Sequence, residues 1–180
     1  MTVPLDQRVG LIGVGLVGTA LSQRLLAAGY EVIGFDTAAA QLDNLCRLGG
    51  VAASSAAEVA ARSRRVILSL PTSEIGGEVI DEIAPHLAPG AIVIDTTTGE
   101  PDQIAGFGAR MAALGILYTD ATIGGSSRQV LAGDAILICG GERQTFVACR
   151  DLFAVCARNA FHVGPCGAGA RMKLVLNLVL

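Results

Sequence analysis

Short apolar runs and longer amphipathic stretches alternate along the 180 residues. Residues 8–13 (RVGLIG), 31–36 (EVIGFD), 65–70 (RVILSL), 91–95 (AIVID), 116–120 (ILYTD), 135–139 (AILIC) and 160–163 (AFHV) are brief and β-rich. A shorter run starts at Val51. Between them, 16–28, 38–48, 55–61, 75–84, 101–114 and 142–156 read as helices, with apolar residues at helical spacing. Gly29 and the pair Gly49-Gly50 close the first two helices. Pro101 sits where a first-turn proline loses no hydrogen bond, and Gly140-Gly141 is expected to turn strand 135–139 into the helix that follows. Runs such as VILSL and AIVID are apolar throughout, as in strands covered on both faces. Strands and helices in this alternation predict βαβ units, hence an α/β, doubly wound fold with a mostly parallel sheet.

Composition narrows the picture. The chain is 52% hydrophobic and 16% charged, with 23 Gly and no Trp, which suits one compact α/β domain with tight turns. A net charge of −3 and the lack of any basic, aromatic-interleaved stretch argue against nucleic acid as a partner. No apolar run reaches the roughly 18 residues of a membrane span. MTVPLDQRVG lacks a basic start followed by an apolar core, so the expected compartment is the cytoplasm. Five Cys, at 46, 139, 149, 156 and 166, are odd in number and form no CxxC, the pattern of reduced thiols rather than of a metal site or disulfides.

Candidate chemistry starts at Gly13-Val14-Gly15-Leu16-Val17-Gly18, a GxGxxG pattern between a predicted strand and a predicted helix. An acid, Asp36, closes the next strand. That combination is the Rossmann-type dinucleotide signature. Gly13 permits the tight turn, Gly15 lets backbone approach a pyrophosphate, and Gly18 lets the helix pack close to the sheet. The helix N-terminus presents free N–H groups and partial positive charge to phosphates. A carboxylate at 36 accepts ribose hydroxyls but repels a 2′-phosphate, and Thr37 follows it rather than an arginine. NAD is therefore expected in preference to NADP, with NADP still possible.

Four further stretches complete a pattern: LPT (70–72), DTTTGEP (95–101), DATIGGS (120–126) and GAGARMKLVLN (167–177). Together with the glycine turn, they resemble the β-hydroxyacid dehydrogenase family, which includes 3-hydroxyisobutyrate dehydrogenase, tartronate semialdehyde reductase and, more distantly, 6-phosphogluconate dehydrogenase. The resemblance spans essentially the whole chain, and its most specific part is the terminal GxGxxxKxxxN. It implies an NAD(P)-dependent oxidoreductase that moves hydride between nicotinamide and a small β-hydroxy acid or semialdehyde acid. Leu70 and Pro71 would then line the cofactor cleft, and Thr98 would lie near the nicotinamide ribose. Lys173, the only lysine in the chain, would transfer the proton, and Asn177 would help fix substrate. Residues four apart share a helix face, so Lys173 and Asn177 are expected to point the same way.

At the substrate-binding turn the family usually reads D-A-P-V-S-G-G. Here Thr122 replaces the Pro, Gly124 the Ser and Ser126 the second Gly. Gly124 and Gly125 still offer backbone N–H groups, and Ser126, Ser127 or Thr122 could supply a hydroxyl. Arg128 nearby could clamp an anionic group bidentately and reads equally as a solvated loop arginine, so it is not counted in the site. This departure motivates the alternative, a non-catalytic NAD(P)-binding regulatory module.

The sheet pattern ends near Pro165, which divides the chain into a dinucleotide-binding domain, 1–164, and a last helix within 165–180. That helix carries apolar Met172, Val175, Leu176, Val179 and Leu180, and no Gly, Asn, Pro or basic last turn closes it. The resemblance implies that it is the start of a connecting helix into an all-α C-terminal domain beyond residue 180. That domain would complete the active site and mediate a homo-oligomer. Residues 1–180 alone are then expected to bind cofactor, turn over poorly and self-associate through the last helix.

Overall fold

The computed structural model describes residues 7–179; the expectations that fall on residues 1–6 and on Leu180 lie outside them. The chain runs β1 (Arg8–Ile12), α1 (Leu16–Ala27), β2 (Glu31–Phe35), α2 (Ala39–Arg47), β3 (Val51–Ala52), α3 (Ala56–Arg62), β4 (Arg65–Leu68) and α4 (Ser73–Ile83). A 3-10 turn at Ala84–His86 precedes β5 (Ile92–Asp95), α5 (Pro101–Ala113), β6 (Leu117–Gly124), α6 (Ser127–Ala132) and β7 (Ile136–Gly141). Next come α7 (Arg143–Ala148), α8 (Arg150–Cys156), β8 (Asn159–Gly164) and α9 (Ala168–Val179). The strands form one eight-stranded sheet in the order β3-β2-β1-β4-β5-β6-β7-β8. All neighbours are parallel except β6 and β7.

Side chains alternate across the sheet, so each strand feeds two cores. Val9 and Leu11 of β1, with Ile67 and Ile94, meet Leu21 and Leu25 of α1, Val130 of α6 and Leu152 and Phe153 of α8. Ile12, Val66, Leu68 and Val93 face the other way, onto Val59 of α3, Ile80 and Ile83 of α4, Ile104 and Met111 of α5 and Ala170 of α9. Each such aliphatic side chain contributes about 1.5–3 kcal/mol by leaving water. Apolar runs without alternation were therefore the right signature of strands buried on both faces.

Four details differ from the sequence expectation, all past residue 115. Strand β6 does not stop at Asp120 but runs to Gly124, because β7 pairs with it antiparallel from Thr119↔Gly141 to Gly124↔Ile136. Gly140 and Gly141 belong to β7 and do not turn it into a helix. The expected helix 142–156 is broken at Cys149 into α7 and α8. A short helix, α6, fills what read as loop, held by a capping box between Ser126 and Gln129.

Candidate functional site

The chain leaves β1 through α1 toward β2 on one side and later returns to β4 on the other. A doubly wound sheet opens a crevice at such a switch point, outside the carboxyl ends of the strands. Here it is a cleft of about 680 Å³. Of the residues expected to hold cofactor, Gly13, Gly15, Leu16, Val17, Asp36, Thr37, Leu70 and Pro71 line it. Val14 and Gly18 are buried and do not line it.

The three glycines are needed for different reasons. Gly13 has φ +90, and a Cβ there would lie 2.2 Å from the Ser69 carbonyl oxygen. At Gly18 a Cβ would lie 2.0 Å from the Gly13 carbonyl oxygen. Both are demanded by the fold itself. Gly15 is not: a Cβ there would meet no atom of the described residues within 4 Å, and its φ of −66 suits any residue. What an added side chain would fill is the approach to the N-terminus of α1. Among the described residues no side chain caps that terminus, and no acid occupies its first turn, so its N–H groups and partial positive charge face the cleft. Such an end is a ready acceptor for a phosphate or pyrophosphate.

Asp36 does more than the sequence suggested. One carboxylate oxygen accepts from the Val14 N–H at 2.7 Å and the other from the Ala38 N–H at 2.9 Å. It thus ties the glycine turn to the end of β2. Each oxygen retains a second lone pair, so the group can still accept ribose hydroxyls. Thr37 beside it is exposed.

The sequence reading missed part of the wall. Phe35, Ser69, Ile75, Glu78 and Val79 also line the cleft. Ile75, Glu78 and Val79 sit at i, i+3 and i+4 on α4, directly after LPT, and that spacing was the available signal. Among the described residues the lining holds two carboxylates, Asp36 and Glu78, and no basic residue.

Thr98, Gly124, Gly125, Ser126, Lys173 and Asn177 lie outside this lining. Thr98 is exposed at the end of a loop stitched to the Leu68–Leu70 segment: the Thr96 N–H donates to the Leu68 carbonyl and the Leu70 N–H to the Thr97 hydroxyl. Gly124 ends β6. Of the three candidate substrate hydroxyls, those at 122 and 126 are engaged. Ser126 Oγ accepts from the Gln129 N–H, and the buried Thr122 hydroxyl lies within reach of the Ile138 and Gly169 carbonyls. Lys173 is half-buried and Asn177 exposed on α9.

A buried carboxylate sets where α9 begins. Asp120 accepts from the Gly167 N–H at 2.8 Å and from the Ala170 N–H at 2.9 Å. The fit is close: a Cβ on Gly169 would lie 2.4 Å from the Ile138 carbonyl and 2.5 Å from Asp120 Oδ2. Lys173 follows one turn later, so β6 fixes the start of the helix that carries it. Beside this anchor, Asp95 accepts from the Tyr118 hydroxyl at 2.7 Å and the Thr97 N–H at 2.9 Å.

Burial raises the pKa of both aspartates, and their hydrogen bonds offset this only in part. Burial likewise pushes the thiols of Cys139, Cys149, Cys156 and Cys166 up to about 12, so they pack as neutral groups. Both aspartates bind a proton more tightly folded than unfolded. Their contribution to stability is therefore fullest below the ordinary aspartate value of 3.8 and is lost as pH rises through the raised folded value. Urea unfolding between pH 4 and 7 should show wild type losing stability relative to Asp95→Asn as pH rises; parallel profiles would contradict the assignment.

Residues 8–164 match the family described as the NAD binding domain of 6-phosphogluconate dehydrogenase. The chain is 32% identical to the NAD-dependent L-serine dehydrogenase of Pseudomonas aeruginosa, over 97% of this chain and 59% of that protein. It is 28% identical to mouse mitochondrial 3-hydroxyisobutyrate dehydrogenase, over 96% of this chain and 52% of that protein. Among solved structures, Mycobacterium tuberculosis 3-hydroxyisobutyrate dehydrogenase with L-serine superposes with a TM-score of 0.93 at 27% identity, covering 96% of this chain and 59% of that one. The chain thus spans between half and two thirds of the length of these relatives. No described helix is long and apolar enough to cross a membrane.

Proposed function

The chain belongs to the NAD binding domain family of 6-phosphogluconate dehydrogenase, among the β-hydroxyacid dehydrogenases, and on that premise we propose that it holds NAD in the β1–β4 crevice for hydride transfer with a small β-hydroxy acid. The observation that carries the reading is Gly15. The protein has no steric need for a glycine there, whereas a pyrophosphate approaching the uncapped end of α1 does.

The cofactor supplies the hydride chemistry; the chain's own residues bind, orient and move a proton. The N–H groups opening α1 take the pyrophosphate, Asp36 the adenosine ribose, and Leu70 and Pro71 the flat apolar wall. Two carboxylates and no cation in the lining disfavour a 2′-phosphate, so NAD is preferred over NADP. Lys173 is the proton-transfer group, protonating the carbonyl oxygen in reduction and taking the proton back in oxidation. Asn177, on the same helix face, and the backbone N–H groups of Gly124 and Gly125 position the acid. L-serine and 3-hydroxyisobutyrate, named for two relatives, share a CH2OH group attached to the carbon that bears the carboxylate. Compounds with that unit are the substrate class proposed here.

A second reading, an NAD-binding module without catalysis, draws on the engaged Thr122 and Ser126 hydroxyls at the altered turn. The test uses residues 1–180 alone and joined in frame to the remainder of the L-serine dehydrogenase relative. Titration should show NAD bound at least about tenfold more tightly than NADP, a difference of about 1.4 kcal/mol. The joined protein should generate reduced nicotinamide from a β-hydroxy acid, and Lys173→Ala should lower the rate by about 100-fold or more while leaving NAD affinity unchanged. NAD binding without turnover by the joined protein would favour the module. Full activity in Lys173→Ala would remove the lysine from the mechanism.

A further inference from the structure

A second hollow of about 420 Å³ lies between α7, α8 and the start of β8. Its rim carries three arginines: Arg143 and Arg150, which open α7 and α8, and Arg158, just before β8. Asn159 adds an amide. The Phe146 and Phe153 rings line it with centroids 5.5 Å apart, and among the described residues no Asp or Glu takes part.

Most of the other arginines have partners; the exposed Arg64 and Arg128 stand singly, outside any such cluster. Arg8 pairs with Glu31, Arg62 with Glu58, Arg110 with Asp81 and Arg171 with Asp102. Arg143, Arg150 and Arg158 have, among the described residues, no side-chain hydrogen bond and no ion pair. Asp151, next to Arg150 in sequence, is already held by Arg65 and the Tyr30 hydroxyl. A protein of net charge −3 therefore gathers three unanswered cations around one aromatic-walled hollow. Guanidinium stays protonated at any working pH, so their mutual repulsion is permanent. A multiply charged anion relieves it and accepts bidentate bonds from each fork. A monovalent anion would leave most of the charge unanswered.

We propose that this hollow binds a small, multiply charged phosphate compound: an oligophosphate, or an organic phosphate whose body rests against Phe146. It is not the cofactor cleft, with which it shares no lining residue. Ala154 connects it to a groove along the C-terminal half of α1, at Gln23–Ala28. That groove lies toward the end of α1 opposite the glycine turn.

The probe is inorganic tripolyphosphate, titrated calorimetrically into the 180-residue chain with NAD present in excess, so that the α1 terminus cannot report. Expected is one site, weakened about tenfold by Arg150→Gln or Arg158→Gln and lost in the double variant. Arg128→Gln, an exposed arginine outside the hollow, should bind as wild type does. The three positions are exposed, and circular dichroism melts should confirm that the variants fold. No binding by wild type, unchanged binding by the double variant, or citrate binding as tightly as tripolyphosphate would each overturn the proposal. Should NAD itself fail to bind, the cofactor reading falls separately, and the arginine variants still decide this one.

Discussion

An Asp120→Ala chain should unfold at lower urea than wild type, with a loss of about 3 kcal/mol. The substitution strands the Gly167 and Ala170 N–H groups, both buried at the start of α9. Leaving a buried donor unsatisfied costs about 1–3 kcal/mol each, so the two together set the scale. Part of that is offset, because the mutant no longer keeps a desolvated carboxylate in the interior, the same desolvation that raises the pKa of Asp120. Asp120→Asn keeps one acceptor oxygen and should lose about half as much. NAD affinity should hardly change in the folded fraction, since the cleft lies at β1 and β4. A stable Asp120→Ala chain would mean that α9 is placed by packing alone.

The second large effect separates glycines that the fold needs from one that a ligand needs. Gly13→Ala and Gly18→Ala put a Cβ 2.2 Å and 2.0 Å from backbone carbonyl oxygens, which cannot swing aside as a flexible side chain can. Each should cost about 3 kcal/mol or more, as strain and overpacking do, with cofactor binding lost as a consequence. Gly15→Ala meets nothing and should melt within about 0.5 kcal/mol of wild type. Its NAD affinity should nevertheless fall tenfold or more, because the methyl group stands where phosphate oxygens would approach the α1 N–H groups. Thermal melts and calorimetric titration on the same samples read the two effects separately. A destabilised Gly15→Ala chain, or one with normal NAD affinity, would break the distinction.

What could be read from sequence was what depends on near neighbours. Strands β1 to β5, the helices between them and the glycine turn follow from short apolar runs, helical spacing and Gly or Pro at the joints. The acid at 36 was legible because its place after β2 is set by the length of one helix and one strand. Beyond residue 115 the decisive contacts are distant. Asp120 reads as part of a substrate turn until residues 167–170 fold back onto it. Gly140 and Gly141 read as a turn because in sequence a paired glycine usually is one; antiparallel pairing with β6, and of Gly140 with Gly164 of β8, keeps them in a strand. The capping box at Ser126 and Gln129 was visible but short. Glu78 was overlooked because an exposed acid on a helix is ordinary until α4 is laid beside the cleft.

The most direct test of the proposed cofactor site is a crystal of the 180-residue chain soaked with NAD. Density for the pyrophosphate within hydrogen-bond distance of the Leu16 and Val17 N–H groups, with the adenosine ribose on Asp36, is the predicted result. A soaked crystal whose cleft between Gly15 and Pro71 stays empty, or whose NAD lies elsewhere, would contradict it.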